Sequence, residues 1–114
     1  MTSRSSPAAL PSAPVDLVAV AVGGRQVILA WTECGAGVGG SGFRIGRAEC
    51  HSPCKQFVEI GKVKPHVTAF RDVSVDPRTT YHYRVHAWNA SGDSPSSNVV
   101  EVTTPQFGTE PPAD

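Results

Sequence analysis

The feature that most constrains the fold is a ten-residue run, Thr79 to Trp88, whose side chains from Tyr81 onward fall into two alternating sets. The two sides of the run are Tyr81, Tyr83, Val85 and Ala87 against His82, Arg84, His86 and Trp88. Successive side chains of a β-strand point to opposite faces of a sheet, whereas a helix repeats every 3.6 residues. The run therefore predicts a long strand with one face in a core and the other towards solvent.

The same period of two recurs in six further segments, and helical spacing is nowhere sustained. The seven predicted strands are 15–22, 26–32, 43–45, 57–63, 67–70, 79–88 and 99–103. Trp31 lies on the apolar side of the second strand, which makes it a predicted central core residue. Seven short strands separated by turns rich in Gly, Pro and Asn predict an all-β fold, a seven-stranded immunoglobulin-like β-sandwich.

The chain has 114 residues, which suits one hydrophobic core. Both ends are rich in Pro, Ser and Ala and cannot continue a helix or a central strand. We therefore predict a Pro/Ser-rich linker over residues 1–13, one folded domain over 14–105 and a Pro-rich linker over 106–114. This organisation is typical of a module within a multidomain protein.

The charge balance argues against two classes of partner. Ten Lys and Arg residues match ten Asp and Glu residues, so net charge does not draw the chain to nucleic acid or to an anionic membrane. No apolar run approaches the roughly 18 residues that a spanning helix needs. We predict neither nucleic-acid binding nor membrane insertion.

The residues around the long strand resemble the fibronectin type III family over positions 13–105. Trp31 fits the core tryptophan of that family, and the pattern F-x-D at 70–72 followed by V-x-P-x-T-x-Y at 75–81 resembles its crossing between sheets. The resemblance implies that Tyr81 is the tyrosine-corner residue, whose hydroxyl bonds a backbone group upstream. GFRI at 42–45 and SNV at 97–99 resemble the bacterial extracellular members in particular.

The resemblance implies a non-catalytic spacer or protein-interaction module of a larger secreted or cell-surface protein. Its expected location is extracellular or at the cell surface, and its expected partners are neighbouring domains of the parent chain, another protein or a polysaccharide. No cofactor is expected. The alternative function is an accessory module of a secreted hydrolase that binds a carbohydrate or surface polymer, with Trp88 stacking on a sugar ring.

Three cysteines, an odd number, leave at least one without an internal partner. Cys34 follows the second predicted strand, whereas Cys50 and Cys54 follow the third, at the opposite end of the sandwich. Those ends are on the order of 20 Å apart, beyond the reach of a disulfide. We predict a Cys50–Cys54 disulfide. Reduced thiols and a metal site remain alternatives, although the loop offers only Cys50, His51 and Cys54 where zinc needs four ligands.

Catalytic and metal sites are not predicted. His82 and His86 share a face of the long strand, but four strand residues span about 13 Å, too far for two ligands of one zinc ion. The sequence has no nucleophile elbow, phosphate-binding glycine loop or His-Glu-x-x-His helix.

The predicted binding surface is the polar face of the long strand with its neighbour. It comprises Arg44, His82, Arg84, His86 and Trp88. Arginine and aromatic residues are enriched at contact hot spots. The competing interpretation is that Trp88 covers the sheet and the stem of Arg84 packs across the strand.

Overall fold

A computed structural model of the chain describes residues 10–34, 41–50 and 53–106. Within these segments the chain forms eight β-strands and no helix. The strands are β1 (Val15–Ala21), β2 (Val27–Thr32), β3 (Gly42–Cys50), β4 (Val58–Val63), β5 (Ala69–Asp72), β6 (Thr80–Asn89), β7 (Gly92–Asp93) and β8 (Val100–Thr103). Most of the predicted terminal linkers, residues 1–9 and 107–114, lies outside the described residues.

Two antiparallel sheets pack into a sandwich, as predicted. One has the order β1-β2-β5, and the other has the order β4-β3-β6-β7, with β8 also paired to β6. No helix in the described part of the chain is long and apolar enough to cross a bilayer. The all-β sandwich class is confirmed.

The predicted count of seven strands is wrong, because β7 adds an eighth within the predicted turn. It continues the β6 hairpin by two residues, pairing Trp88 with Asp93 and Asn89 with Gly92. Gly92 has a φ of 137°, a backbone conformation that favours glycine. Beyond it, the ladder is interrupted at Pro95, which has no N–H to donate.

Serine side chains replace the ladder where β7 and β8 are separated. Ser94 Oγ accepts from the Ala87 N–H at 2.9 Å, and Ser97 Oγ accepts from the Val85 N–H at 3.0 Å. The backbone N–H groups of the same two serines donate to the carbonyls of Ala87 and Val85. The central strand β6 therefore stays hydrogen-bonded where its neighbour is irregular.

The third strand is longer than the predicted 43–45. It pairs with β6 at nine consecutive positions, from Gly42 opposite Trp88 to Cys50 opposite Thr80. Gly46 has no side chain to mark a face, and Arg47 points inward where an apolar residue is expected. At these two positions the sequence does not show the alternation of apolar and polar residues, so the predicted strand ended too early.

The core is formed by the inward faces of both sheets. Trp31 is 5% exposed and contacts Phe43 edge-to-face, with 5.5 Å between ring centroids. Tyr81 is 2% exposed, and its hydroxyl accepts a 2.8 Å hydrogen bond from the Asp76 N–H five residues upstream. This bond joins the β5–β6 connection to the beginning of β6.

A buried polar network closes one end of the core. Asp72, 3% exposed, accepts hydrogen bonds from Tyr83 at 2.7 Å, from Arg47 at 2.9 Å and from the N–H and hydroxyl of Ser74 at 3.0 and 2.7 Å. Burial by itself would raise the pKa of Asp72, but these hydrogen bonds outweigh burial and hold its pKa below the usual value. Burial and the adjacent Asp72 carboxylate raise the pKa of Tyr83 far above its usual value.

The free edge of β1 is capped by an asparagine side chain. Asn98 Oδ1 accepts from the Leu17 N–H at 2.9 Å, and Asn98 Nδ2 donates to the Leu17 carbonyl at 3.0 Å. The register of β1 against β2 shifts between Val15 and Val18, and Asp16 there has a φ of 57°. The cap and the bulge both make this edge a poor template for pairing with another strand.

Candidate functional site

The five predicted binding residues all lie on one side of the five-stranded sheet, the side that faces away from the core. We call this side the outer face. Antiparallel pairing sets Arg44 opposite His86, Gly42 opposite Trp88 and Gly46 opposite Arg84. Ala48 is opposite His82. The structure therefore brings the five side chains onto one surface, but most of them contact other outer-face residues that the sequence did not single out.

Arg44 is held in place by two carboxylates. Its Nε is 2.9 Å from Asp93 Oδ1, and its Nη1 is 3.0 Å from Glu59 Oε1. Glu59 comes from the neighbouring strand β4 and Asp93 from β7, so the three side chains cross four strands of the sheet. Both acidic partners of Arg44 therefore come from within the domain.

Trp88 is covered by cationic side chains. The Arg44 guanidinium carbon is 4.9 Å from the centroid of the indole, and Lys62 Nζ is 5.4 Å from it. The indole Nε1 is buried and has no hydrogen-bond acceptor among the described residues. Trp88 therefore packs as part of the sheet surface instead of presenting a free flat ring.

Arg84 differs from Arg44 in its partners. Its guanidinium carbon lies 4.1 Å from the centroid of the Phe57 ring, and Phe57 immediately precedes β4. Among the described residues Arg84 has no carboxylate or other hydrogen-bond partner. Gly46 is directly opposite on β3, and a Cβ added there would lie in ordinary van der Waals contact with Arg84 Cγ, at 3.6 Å. The donors of Arg84 are therefore oriented by Phe57 but not used within the described part of the chain.

An open groove of about 170 Å³ runs along this part of the outer face. It is lined by Gly46, Phe57, Arg84 and His86, with the Arg44 ion pairs at its side. His86 Nδ1 donates to the Ser94 carbonyl at 2.9 Å, which fixes the ring against the sheet. Arg44 pairs with both carboxylates that line the groove, Glu59 and Asp93, so Arg84 is the lining cation without an ion-pair partner among the described residues.

His82 lies further along the outer face, beside the cysteines. Its Nε2 is 3.0 Å from Glu101 Oε1 on β8. Cys50 and Cys54 form a disulfide, which confirms the predicted pairing, and Cys34 is a free, exposed thiol. A ring nitrogen of His82 and the two sulfurs all lie within 4.8 Å of one another.

A second, smaller pocket of about 20 Å³ lies at the opposite end of the sandwich. Cys34, Pro11 and Phe43 line it together with His66, whose Nδ1 is 3.0 Å from Glu33 Oε1. This volume is close to that of one water molecule. The pocket is too small to hold an organic ligand.

Sequence reasoning missed three groups that define the outer face: Phe57, Lys62 and the carboxylates of Glu59 and Asp93. Phe57 stood at the start of a predicted strand without an assigned partner. Only the register between β3, β4 and β6 shows that it meets Arg84, and register between distant strands is not readable from one sequence.

No protein-family model matches the sequence, and no curated protein is significantly similar to it. Solved structures match the fold. A structure described as a myokine is 24% identical, with a TM-score of 0.70 over 83% of this chain and 98% of its own. The FN5 domain of Drosophila Lar is 22% identical, with a TM-score of 0.67 over 83% of this chain and 97% of its own.

A chicken CNTN1 fragment that contains domains FN1–FN3 is 21% identical, with a TM-score of 0.71 over 84% of this chain. The present chain spans 32% of that fragment, about one of its three domains. These likenesses confirm the predicted fibronectin type III fold. The resemblance to bacterial members stays a prediction.

Proposed function

We propose, from the fibronectin type III fold of this chain, that it is a non-catalytic spacer and protein-interaction module of a larger secreted or cell-surface protein. Domains of this fold occur side by side in the matched CNTN1 fragment. The spacer role is supported by the positions of the two ends of the domain. The interaction role is supported by the groove on the outer face.

The observation that carries the proposal is that the described chain begins at one end of the sandwich and leaves at the other. Leu10 lies beside Gly92, near the β6–β7 turn. Pro105 and Gln106 lie beside Gly24, in the β1–β2 turn, and the Arg78 N–H contacts the Pro105 carbonyl. The long strand β6 separates these ends by about 30 Å. A module of this kind advances the chain by its own length.

The interaction role rests on Arg84. A guanidinium has five N–H donors in a planar fork that matches a carboxylate, and stacking on Phe57 orients the fork in advance. Because Arg44 already pairs with both carboxylates of the groove, Arg84 is the cation there that has no acidic partner among the described residues. We expect it to bind a Glu, Asp or C-terminal carboxylate of another protein or of a neighbouring domain.

The extracellular location is supported by the Cys50–Cys54 disulfide. Such bonds form and persist mainly in oxidising compartments. The alternative role in carbohydrate binding needs an exposed, flat indole, and Arg44 and Lys62 lie over the ring of Trp88. The arrangement therefore favours protein contacts over sugar stacking.

The interaction is tested by NMR titration of the labelled chain with an acetylated, amidated tri-glutamate peptide and with its tri-glutamine counterpart. We expect the glutamate peptide alone to shift the Arg84 Nε–H and the amides of Gly46 and Phe57, and Arg84→Gln to abolish these shifts. Arg71→Gln is the matched control, since Arg71 is exposed on the opposite sheet. Equal shifts with both peptides, or an equal loss in Arg71→Gln, would contradict the proposal.

A further inference from the structure

The end of the β3–β6 ladder gathers three groups that bind metal ions. On β3, Cys50 pairs with Thr80, two residues before His82 on β6, and all three lie on the outer face. Cys54 returns to the strand by a bridge with Cys50. The two sulfurs and a ring nitrogen of His82 are within 4.8 Å of one another.

We propose that, when the Cys50–Cys54 bond is reduced, the two thiolates and His82 form a binding site for Zn²⁺ or a similar thiolate-preferring divalent cation. The disulfide and the metal-bound form are then two alternative states of one site. This inference is independent of the spacer and interaction roles, since it concerns the end of the outer face beyond the groove.

The geometry suits a tetrahedral ion. Zn–S bonds of about 2.3 Å and Zn–N bonds of about 2.0 Å place neighbouring ligand atoms roughly 3.5 to 4 Å apart. The sulfurs are bonded to each other in the disulfide and need only separate, because the Cα atoms of Cys50 and Cys54 are already 3.9 Å apart. His82 comes from a separate strand, and the β3–β6 pairing fixes its backbone relative to Cys50. The site therefore needs rearrangement of the cysteine side chains and not of the sheet.

Glu101 gives this histidine a further property of metal ligands. Its carboxylate is 3.0 Å from His82 Nε2. A ligating histidine commonly bonds a carboxylate through its second nitrogen, which fixes the orientation of the ring. When Nδ1 of His82 binds the metal, Glu101 occupies that supporting position. Water completes the four ligands.

The chemistry balances with a dithiol as reductant. The dithiol gives two electrons and two protons to the Cys50–Cys54 bond, which becomes two thiols while the dithiol becomes a disulfide. Metal binding then releases the two thiol protons to solvent. In the reverse direction, a disulfide oxidant takes two electrons from the thiolates, the sulfur–sulfur bond forms again and the metal leaves. Cys54 is exposed and Cys50 half-buried, so a reductant can reach the bond.

The test uses Co²⁺ as the probe in the Cys34→Ser chain, so that the third thiol cannot contribute. We expect the protein reduced with a phosphine to bind one Co²⁺ per chain, with thiolate charge-transfer and tetrahedral ligand-field absorption that Zn²⁺ abolishes. The oxidised protein should show neither band. His82→Ala should weaken Co²⁺ binding at least tenfold and reduce the tetrahedral bands.

His86→Ala is the matched control, because His86 lies on the same face of β6 but contacts Ser94 instead of the cysteines. It should bind Co²⁺ as tightly as the parent. Absence of the bands in the reduced protein would overturn the proposal, and so would unchanged affinity in His82→Ala. Far-ultraviolet circular dichroism of each reduced variant shows whether the sandwich is retained, and a loss of binding counts for His82 only in a folded protein.

Discussion

The Tyr83 hydroxyl donates a 2.7 Å hydrogen bond to Asp72 Oδ2 inside the sandwich, and Arg47 reaches the same oxygen at 2.9 Å. A single buried carboxylate thus joins β5 to β3 and β6. Removing one partner of a buried ion pair leaves the other without compensation. The network therefore makes Asp72 a main determinant of stability and of its pH dependence.

We expect Asp72→Asn to lower the free energy of unfolding at pH 7 by about 2 to 4 kcal/mol. The folded-state pKa of Asp72 lies below its unfolded value, so its contribution is present above about pH 4 and is lost as pH falls through the folded pKa. Urea denaturation from pH 7 down to pH 2 should show a smaller acid-induced loss in Asp72→Asn than in the parent. Equal losses would show that Asp72 is not linked to acid unfolding.

The tyrosine-corner hydroxyl gives a second prediction. Tyr81→Phe leaves the Asp76 N–H without its acceptor in a part-buried hydrogen bond, so we expect a loss of about 1 kcal/mol at neutral pH with no change in the pH profile. Tyr83→Phe is the control that removes a hydroxyl from the same strand but alters the surroundings of Asp72. If Tyr81→Phe unfolds at the same urea concentration as the parent, the hydrogen bond contributes nothing.

The two glycines of β3 and β4 should respond differently to alanine. A Cβ on Gly61 would lie 2.7 Å from two ring atoms of Phe70, whereas on Gly46 its nearest contact would be 3.6 Å. We expect Gly61→Ala to lower stability by about 1 to 3 kcal/mol and Gly46→Ala to change it little. Thermal unfolding of both variants checks this. If Gly46→Ala lowered stability more than Gly61→Ala, the close contact of Gly61 with the Phe70 ring would be contradicted.

The disulfide predicts the number of reactive thiols. The denatured, unreduced protein should have one, Cys34, and the reduced protein three. Cys50→Ser with Cys54→Ser should lower stability by about 2 kcal/mol, because the bond closes a short loop. Three reactive thiols before reduction would show that the bond does not form.

Much of the fold could be predicted from the sequence because period-two alternation is a local property. It located β6 and placed Trp31 and Tyr81 on inward faces. The Asp72–Arg47 pair could not be predicted from the sequence. An arginine that faces the core looks the same in a sequence as one that faces solvent, and only the arrangement of neighbouring strands distinguishes them. The predicted outer-face residues are together, but the contact of Arg84 with Phe57 depends on cross-strand register. The approach of His82 to Cys50 depends on it as well.

The spacer role is tested most directly by the distance between the two ends of the folded domain. Spin labels on Ser12→Cys and Gln106→Cys, in the Cys34→Ser background with the disulfide intact, would report it by double electron–electron resonance. We predict one narrow distribution centred at about 30 Å, the separation that β6 sets between the two ends of the sandwich. A broad distribution, or a separation below about 20 Å, would contradict a rigid module that carries the chain from one end to the other.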